Sequence, residues 1–366
     1  MDKKNIILSG GGTGGHIFPA ISIARKLKEI LPESDILFVG ANGKMEMEKV
    51  PKAGFNIKGL PVSAFHRRLT FKNFTFVFKL IYSLIKANRI IKDFKPDLVI
   101  GTGGFASGPI VKAASRKGIP CLVQEQNAFP GVTNRMLGKK VNTICVAHDG
   151  LQKYFPASKI KITGNPVRED ILNAKENRDE ALKYFGIKGD KPVVFVFGGS
   201  LGARTINHSV EGGLGELVSN SIDLIWQTGT SFFESAKNSA KGLEGASIVI
   251  HEFIYRMDLA YELADIIISR AGAISISELC IVGKPVILVP YPHAAGNHQM
   301  KNAMSLVERN AAIMIEDDKA IKQLVKKAIV LINDEKRMNE LGGNISDMAM
   351  PEASLKIAEE ALMLLK

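Results

Sequence analysis

The sequence predicts an α/β protein of two Rossmann-like halves, each a parallel sheet covered by helices, and three observations carry that prediction. β-rich apolar runs alternate with helical patterns: NIILSG, a helix over residues 17–30, DILFVG, DLVIG, a helix near 107–117, IPCLVQE and NTICVA. That order is the order of βαβ units. The scheme restarts with PVVFVFGG at 192–199, SIDLIWQTG, SIVIHEF, DIIISRAG and PVILVP, after a boundary near TGNPVR at 163–168. A chain of 366 residues also exceeds what one core usually supports, so two domains of similar size are expected.

The halves share a unit. DLVIG-TGGFASGPIVKAASRKG-IPCLV and DIIIS-RAGAISISELCIVGK-PVILV both run strand, glycine turn, helix, strand. Ligands of such folds sit at the carboxyl ends of the strands, so these turns share one cavity if the halves face each other.

With 46% apolar and 23% charged residues the composition is that of a globular protein. Lys and Arg number 48 against 37 Asp and Glu. The surplus favours an anionic partner, a nucleotide, a nucleic acid or an anionic membrane surface, without choosing among them. Cys121, Cys145 and Cys280 lie in the apolar runs IPCLV, TICVA and ELCIV without metal-ligand spacing, and read as buried free thiols of a reducing compartment. MDKKNIILSGGG holds a run of only three apolar residues, Ile6 to Leu8, before its glycines, so no signal-peptide core is expected. No stretch of 18 uncharged apolar residues occurs, which leaves at most a protein lying on a membrane.

Residues 64–95 carry eight Lys or Arg against one acid. On a helical wheel Lys72, Lys79 and Lys86 share a narrow face, while Phe71, Phe74, Phe76, Val77, Phe78, Leu80, Ile81, Leu84 and Ile85 spread round the rest. That arc is wider than the roughly 100° stripe that docks a helix on one core. Either the helix is buried on two sides, or the surplus apolar face, rimmed by cations, enters a membrane interface beside anionic lipid.

The glycine turns carry the chemistry. Gly10, Gly12 and Gly15 fit G-x-G-x-x-G, yet a dinucleotide site needs an acid at the end of the second strand. DILFVG ends in Gly40, Ala41 and Asn42, so a dehydrogenase is excluded. No G-K-[ST] follows these glycines either. What remains is a set of backbone N–H groups at a helix N-terminus, suited to a diphosphate or a sugar oxyanion. His16 follows the glycines directly. An imidazole, which ordinarily titrates at about 6.5, suits proton removal near neutrality. A cap or an orienting donor is the competing reading of His16.

In the second half FGGSLGAR offers Ser200 and its neighbours to phosphate oxygens. Arg168 of GNPVR can neutralise a diphosphate, unless it forms a surface ion pair. Glu278, on the first turns of a helix starting near Ala273, can accept both hydroxyls of a ribose, unless it only complements the helix dipole. HAAGNHQMKNA gathers His293, Asn297, His298, Gln299 and Asn302, a set suited to sugar hydroxyls. Its spacing does not support a metal site. As base for an acceptor hydroxyl His16 ranks first and Glu125 of QEQN, at a strand end, second.

GGTGGHIFPA at 11–20, GTGGFASGP at 101–109, QEQNAFPGVTNR at 124–135, GNPVR, GGSLGAR at 198–204, RAGAISISE at 270–278 and NHQMKNA at 297–303 together resemble the MurG family of bacterial N-acetylglucosaminyltransferases, which convert lipid I to lipid II. The resemblance spans nearly the whole chain in the family's order. It implies a GT-B fold with an interdomain cleft, an acceptor domain over 1–165 with helix 351–366 packed back on it, and a UDP-GlcNAc domain over 166–350. It also implies a metal-independent inverting transfer without cofactor, on the cytoplasmic side of the plasma membrane, with UDP-GlcNAc and undecaprenyl-linked lipid I as partners and no nucleic acid. Residues 64–95 are then the membrane-facing candidate.

Carried over, Thr13, Gly14 and Gly15 would contact the donor and Asn127 its sugar. Arg168 and Ser200 would meet the diphosphate, Ile254 the uracil and Glu278 the ribose. Ala273, Ile274, Ser275, Ile276 and Ser277 would line the diphosphate, and Gln299 would hold the sugar hydroxyls. Gly103, Gly104 and Ser107 would face the acceptor diphosphate. A GT-B enzyme acting on diacylglycerol, a UDP-GlcNAc 2-epimerase and a non-enzymatic nucleotide-sugar scaffold remain as alternatives.

Overall fold

The computed structural model describes residues 3–62, 71–172, 178–199 and 201–365; side chains are described from Phe78 onward in the helix Phe71–Phe94, and not at Ala295. The chain divides into two compact units, Met1–Arg168 with Met350–Lys366, and Glu169–Ala349.

The first unit holds β1 (Asn5–Gly10), β2 (Asp35–Ala41), β3 (Asn56–Leu60), β4 (Leu98–Gly103), β5 (Cys121–Glu125), β6 (Thr143–Val146) and β7 (Ile160–Ile162). They form one sheet in the order β3-β2-β1-β4-β5-β6-β7, every described pair parallel. The near-continuous apolar runs follow from burial on both faces. Along β1 alternate residues enter opposite layers. Ile6 and Leu8 pack with Ile17, Ala20 and Ala24 of the helix Gly14–Ile30, while Ile7 packs with Ile110, Ala114 and Ile91 on the other side. Ile357, Ala358 and Ala361 of the helix Ala353–Met363 join the first layer.

The second unit repeats the plan with β8 (Val193–Phe197), β9 (Asp223–Gln227), β10 (Ile248–His251), β11 (Ile266–Ser269), β12 (Val286–Leu288) and β13 (Ile313–Met314). Their order is β10-β9-β8-β11-β12-β13, again parallel. Val193, Phe195 and Phe197 face one core, and Val194 and Val196 the other.

In each sheet the strand order reverses beside the first strand. Gly10 at the end of β1 pairs with Gly103 at the end of β4; Phe197 at the end of β8 pairs with Ser269 at the end of β11. Two glycine turns are thus side by side in each unit, at the switch point where open α/β sheets bind ligands.

The helices that follow β1 and β4 begin inside their glycine turns, at Gly14 and Gly104, three residues ahead of the starts expected from sequence. Glycine adds nothing to an apolar periodicity, so the pattern alone misses the first turn. Gly104 shows why the residue is required. Its φ is +77° and a Cβ there would lie 2.2 Å from the Gly11 carbonyl oxygen, a clash that only glycine avoids.

The helix Phe71–Phe94 buries Ser83, Ala87, Ile90 and Ile91 and leaves Phe78, Ile81, Tyr82 and Ile85 51–61% exposed. It is therefore not buried on two sides along its described part. Residues 64–70, and the side chains of Phe71, Phe74 and Phe76, lie outside the described residues. Among the described residues no helix is long and apolar enough to cross a membrane. Cys121, Cys145 and Cys280 are free and buried; burial pushes the Cys121 and Cys280 thiols up to about 12 and Cys145 upward as well, so all three are inert at neutral pH.

Candidate active site

In the first unit the turn after β1 leads into the helix Gly14–Ile30 through Thr13, whose extended backbone leaves it as the N-cap. Thr13 O accepts from His16 N and Ile17 N at 3.2 and 3.3 Å. The N–H groups of Gly14 and Gly15, in the first turn, have no intrahelical acceptor and point outward as donors.

One side chain that sequence reasoning missed shapes this turn. Glu46, fully buried, folds back from the segment after β2 and accepts from Gly12 N at 3.1 and 3.2 Å and from Ala41 N at 2.9 Å. A resident carboxylate thus holds the N–H that would meet a phosphate in a dinucleotide fold. That is the physical counterpart of the missing ribose acid. The signal was present in ANGKMEME, but only the fold shows which of its acids turns inward.

His16 is half-buried, and its imidazole meets Thr102 O and Gln126 Oε1, both at Nδ1 and both at 3.1 Å. Thr102 also donates its hydroxyl to His16 O at 2.7 Å, so the residue is held at ring and backbone. The Nε2 atom makes no hydrogen bond among the described residues. Ser107 is fully buried and donates to Gly104 O at 3.1 Å, which closes the first turn of its helix. Gly103 and Gly104 of that turn lie against the imidazole; a Cβ on Gly103 would sit 3.0 Å from His16 Nδ1.

Glu125 is 1% exposed. Its Oε1 accepts from Asn127 N and Asn127 Nδ2 at 3.0 and 3.1 Å, and its Oε2 from Gly131 N and Asn134 Nδ2 at 3.0 and 2.9 Å. A carboxylate has about four lone-pair sites, so these donors saturate it. The arrangement suits an organiser of the 126–134 loop, which fixes Asn127, better than it suits a base. Arg168 is half-buried and ends the first of this unit's two chain segments.

In the second unit Ser200 lies outside the described residues. Two residues further on, Gly202 has a φ of +76°, and a Cβ there would lie 2.0 Å from Thr228 O. Gln227, at the end of β9 and likewise missed from sequence, donates to Gly199 O at 3.1 Å and accepts from Ile254 N at 2.8 Å. It ties the phosphate-type turn to the segment expected to meet the base.

The helix Ala273–Val282 starts after Gly272, whose carbonyl accepts from Ile276 N at 2.9 Å. The N–H groups of Ala273, Ile274 and Ser275 precede that first intrahelical bond and form an anion-binding end. The Ile276 side chain is in the core, so only its backbone belongs to this end. Ser277 donates back to Ala273 O at 3.1 Å. Glu278, 8% exposed, accepts from the Tyr261 hydroxyl at 3.2 Å. Gln299 accepts from Tyr291 N at 2.9 Å through Oε1, which aims its amide N–H groups elsewhere. Arg270, unnoticed in the sequence, pairs with Asp317 and donates to Val289 O at 3.0 Å, while Thr205 donates to Asp317 at 2.9 Å. Among the described residues no group of three His, Cys, Asp or Glu could hold a metal ion.

Residues 6–146 match the glycosyltransferase family 28 N-terminal domain and residues 193–355 its C-terminal domain. A relative from Christiangramia forsetii is 52% identical over 97% of this chain and 96% of its own length. One from Parabacteroides distasonis is 49% identical over 100% and 99%. Both are named UDP-N-acetylglucosamine–N-acetylmuramyl-(pentapeptide) pyrophosphoryl-undecaprenol N-acetylglucosamine transferase. The crystal structure of Acinetobacter baumannii MurG superposes with a TM-score of 0.81 at 27% identity, over 98% of this chain and 99% of that one. The fold expected from sequence, two Rossmann-like parallel-sheet halves of the GT-B kind, is the one observed. Two glycine-turn sheets with glycosyltransferase motifs at their switch points, matched over their full length, place the chain in glycosyltransferase family 28, among the MurG N-acetylglucosamine transferases.

Proposed function

We propose that this chain transfers GlcNAc from UDP-GlcNAc to the 4-hydroxyl of MurNAc in undecaprenyl-pyrophosphoryl-MurNAc-pentapeptide, lipid I to lipid II, the step before peptidoglycan polymerisation. The observation that carries the reading is identity of 49% and 52% over nearly the whole chain to relatives named for that transfer. The residues that chemistry needs are present as well.

The transfer is one in-line displacement. The acceptor oxygen forms a bond to the anomeric carbon, the carbon–oxygen bond to the β-phosphate breaks, and UDP departs with its electron pair. His16 Nε2 takes the proton of the 4-hydroxyl. The N–H groups of Ala273, Ile274 and Ser275, the dipole of their helix, Ser200 and Arg168 stabilise the departing diphosphate. Thr13, Gly14, Gly15, Asn127 and Gln299 position the sugar. Ile254 lends its carbonyl to the base, since its N–H is held by Gln227. Gly103 and Gly104 bring backbone N–H groups to the acceptor diphosphate, and the buried Ser107 supports them from below.

Labelled UDP-GlcNAc and a lipid I analogue, incubated in EDTA with UDP-GalNAc and UDP-glucose as competitors, test the reading. A β-1,4-linked disaccharide lipid formed from UDP-GlcNAc alone is the expected product. Donor binding without disaccharide lipid would sink the acceptor assignment; release of an epimerised UDP-sugar would favour the 2-epimerase alternative.

Glu278→Ala is expected to weaken UDP-GlcNAc binding about 10–100-fold by titration calorimetry, since hydrogen bonds to a charged acceptor contribute about 1.5–3 kcal/mol each. Unchanged affinity removes Glu278 from the ribose.

The helix Phe71–Phe94 supports peripheral attachment to the cytoplasmic face of the membrane. Phe78, Ile81, Tyr82 and Ile85 make an exposed apolar face, with exposed Lys79 and Arg89 near it. Triple substitution of Phe78, Ile81 and Ile85 by Ser is expected to cut flotation with anionic vesicles about 100-fold, at roughly 1 kcal/mol per partly inserted side chain. Binding that survives the triple change excludes this face.

A further inference from the structure

The environment of His16 contains a chain of buried amides that the proposed chemistry has not used. Asn165, of the GNPVR segment, donates from Nδ2 to the backbone carbonyl of Gln126 at 3.1 Å and accepts at Oδ1 from Gln124 Nε2 at 2.8 Å. Gln124 Oε1 in turn accepts from Gln126 Nε2. Gln126 Nε2 also faces Thr102 O at 2.7 Å and Gln124 O at 3.3 Å. Asn165, Gln124 and Gln126 are at most 2% exposed.

The polarity of every amide in this chain is forced. A backbone carbonyl can only accept, so Asn165 turns its NH₂ to Gln126 O and its oxygen to Gln124. Gln124 therefore presents NH₂ to Asn165 and oxygen to Gln126. Gln126, whose NH₂ is taken by that oxygen and by two carbonyls, has its own oxygen left for His16 Nδ1, beside Thr102 O. Nδ1 thus meets two acceptors and no donor.

We propose that Gln126 is a positioning residue that, at the end of an Asn165–Gln124–Gln126 relay, locks His16 in the Nδ1–H tautomer and so keeps the Nε2 lone pair available for the acceptor proton. The two oxygens stay hydrogen-bonded to Nδ1 when Nε2 gains its proton. The tautomer statement stands on geometry alone; its catalytic consequence rests on the proposal that His16 is the base.

The test is ¹⁵N NMR of the full chain labelled at histidine, with the His16 signals assigned by their loss in His16→Ala, alongside transfer kinetics. In the unaltered protein the neutral His16 ring is expected to show a protonated Nδ1 and an unprotonated Nε2; a protonated Nε2 instead overturns the proposal without any further variant. Gln126→Met is expected to populate the Nε2–H tautomer and lower kcat about five- to tenfold, the population change that one neutral hydrogen bond commands, with the UDP-GlcNAc KM within about twofold. If the Nδ1–H tautomer persists in Gln126→Met, Thr102 O is sufficient and Gln126 has no such role. Should Gln126→Met not fold, Gln124→Met breaks the relay one amide earlier and is read the same way. A tautomer shift with unchanged kcat supports the relay and removes His16 as base, so the two statements fail separately.

Discussion

His16→Ala is expected to lower kcat about 10²–10⁴-fold, the usual contribution of a positioned general base, while leaving UDP-GlcNAc affinity nearly unchanged. The large effect follows from where the ring is held. Two carbonyl-type oxygens anchor Nδ1, and the opposite nitrogen makes no hydrogen bond among the described residues. The fold should survive, because the ring is only half-buried and Thr102 O keeps its bond from Gln126 Nε2 at 2.7 Å. Circular dichroism and donor titration establish that survival; single-turnover transfer measures the loss. Turnover within a few-fold of the unaltered protein would end the case for His16 as base. Partial rescue by added imidazole would strengthen it, since a small base can enter the space the ring leaves.

Glu125→Gln should act in the opposite order, on stability first. An amide in place of the carboxylate turns NH₂ toward either the two donors of Asn127 or those of Gly131 and Asn134. Two donors lose their acceptor, part-buried at Asn127 and Gly131 and buried at Asn134, at about 1–3 kcal/mol each. At roughly 2–4 °C per kcal/mol for a unit of this size, Tm falls on the order of 5–15 °C. Transfer is expected to fall with it, since Asn127, proposed to position the sugar, loses its anchor on Glu125, and the donor KM should rise along with the drop in kcat. An unchanged Tm with abolished turnover would reverse the assignment and make Glu125 the group that touches the acceptor. Measured side by side, the two variants separate a base from the frame that surrounds it.

The epimerase alternative is answered by the product of the transfer assay and not by the fold, since two Rossmann-like sheets serve both chemistries. The dehydrogenase reading fails twice for related reasons. No acid ends β2, and Glu46 already neutralises the glycine turn from within, through the Gly12 and Ala41 N–H groups.

The sequence by itself determined the sheet architecture, the positions of the glycine turns and the family. Burial on both faces of parallel strands writes continuous apolar runs, and glycines at strand ends mark where backbone must approach backbone; both are local properties of the chain. The start of the helix Ala273–Val282 was legible for the same reason, because a helix N-terminus is specified by its own few residues. Tertiary structure alone decided what those residues touch. Glu46, Gln126, Gln227 and Arg270 look like ordinary polar residues in sequence, and each acquires its role from partners 27 to 110 positions away. Glu125, a candidate base in the sequence, is met in the fold by four donors from residues 127, 131 and 134, a convergence that depends on how the loop folds. A hydrogen bond is settled by direction and distance in space, which chain spacing does not encode beyond a helical turn or a strand pair, and the chemistry of this site is made of such bonds.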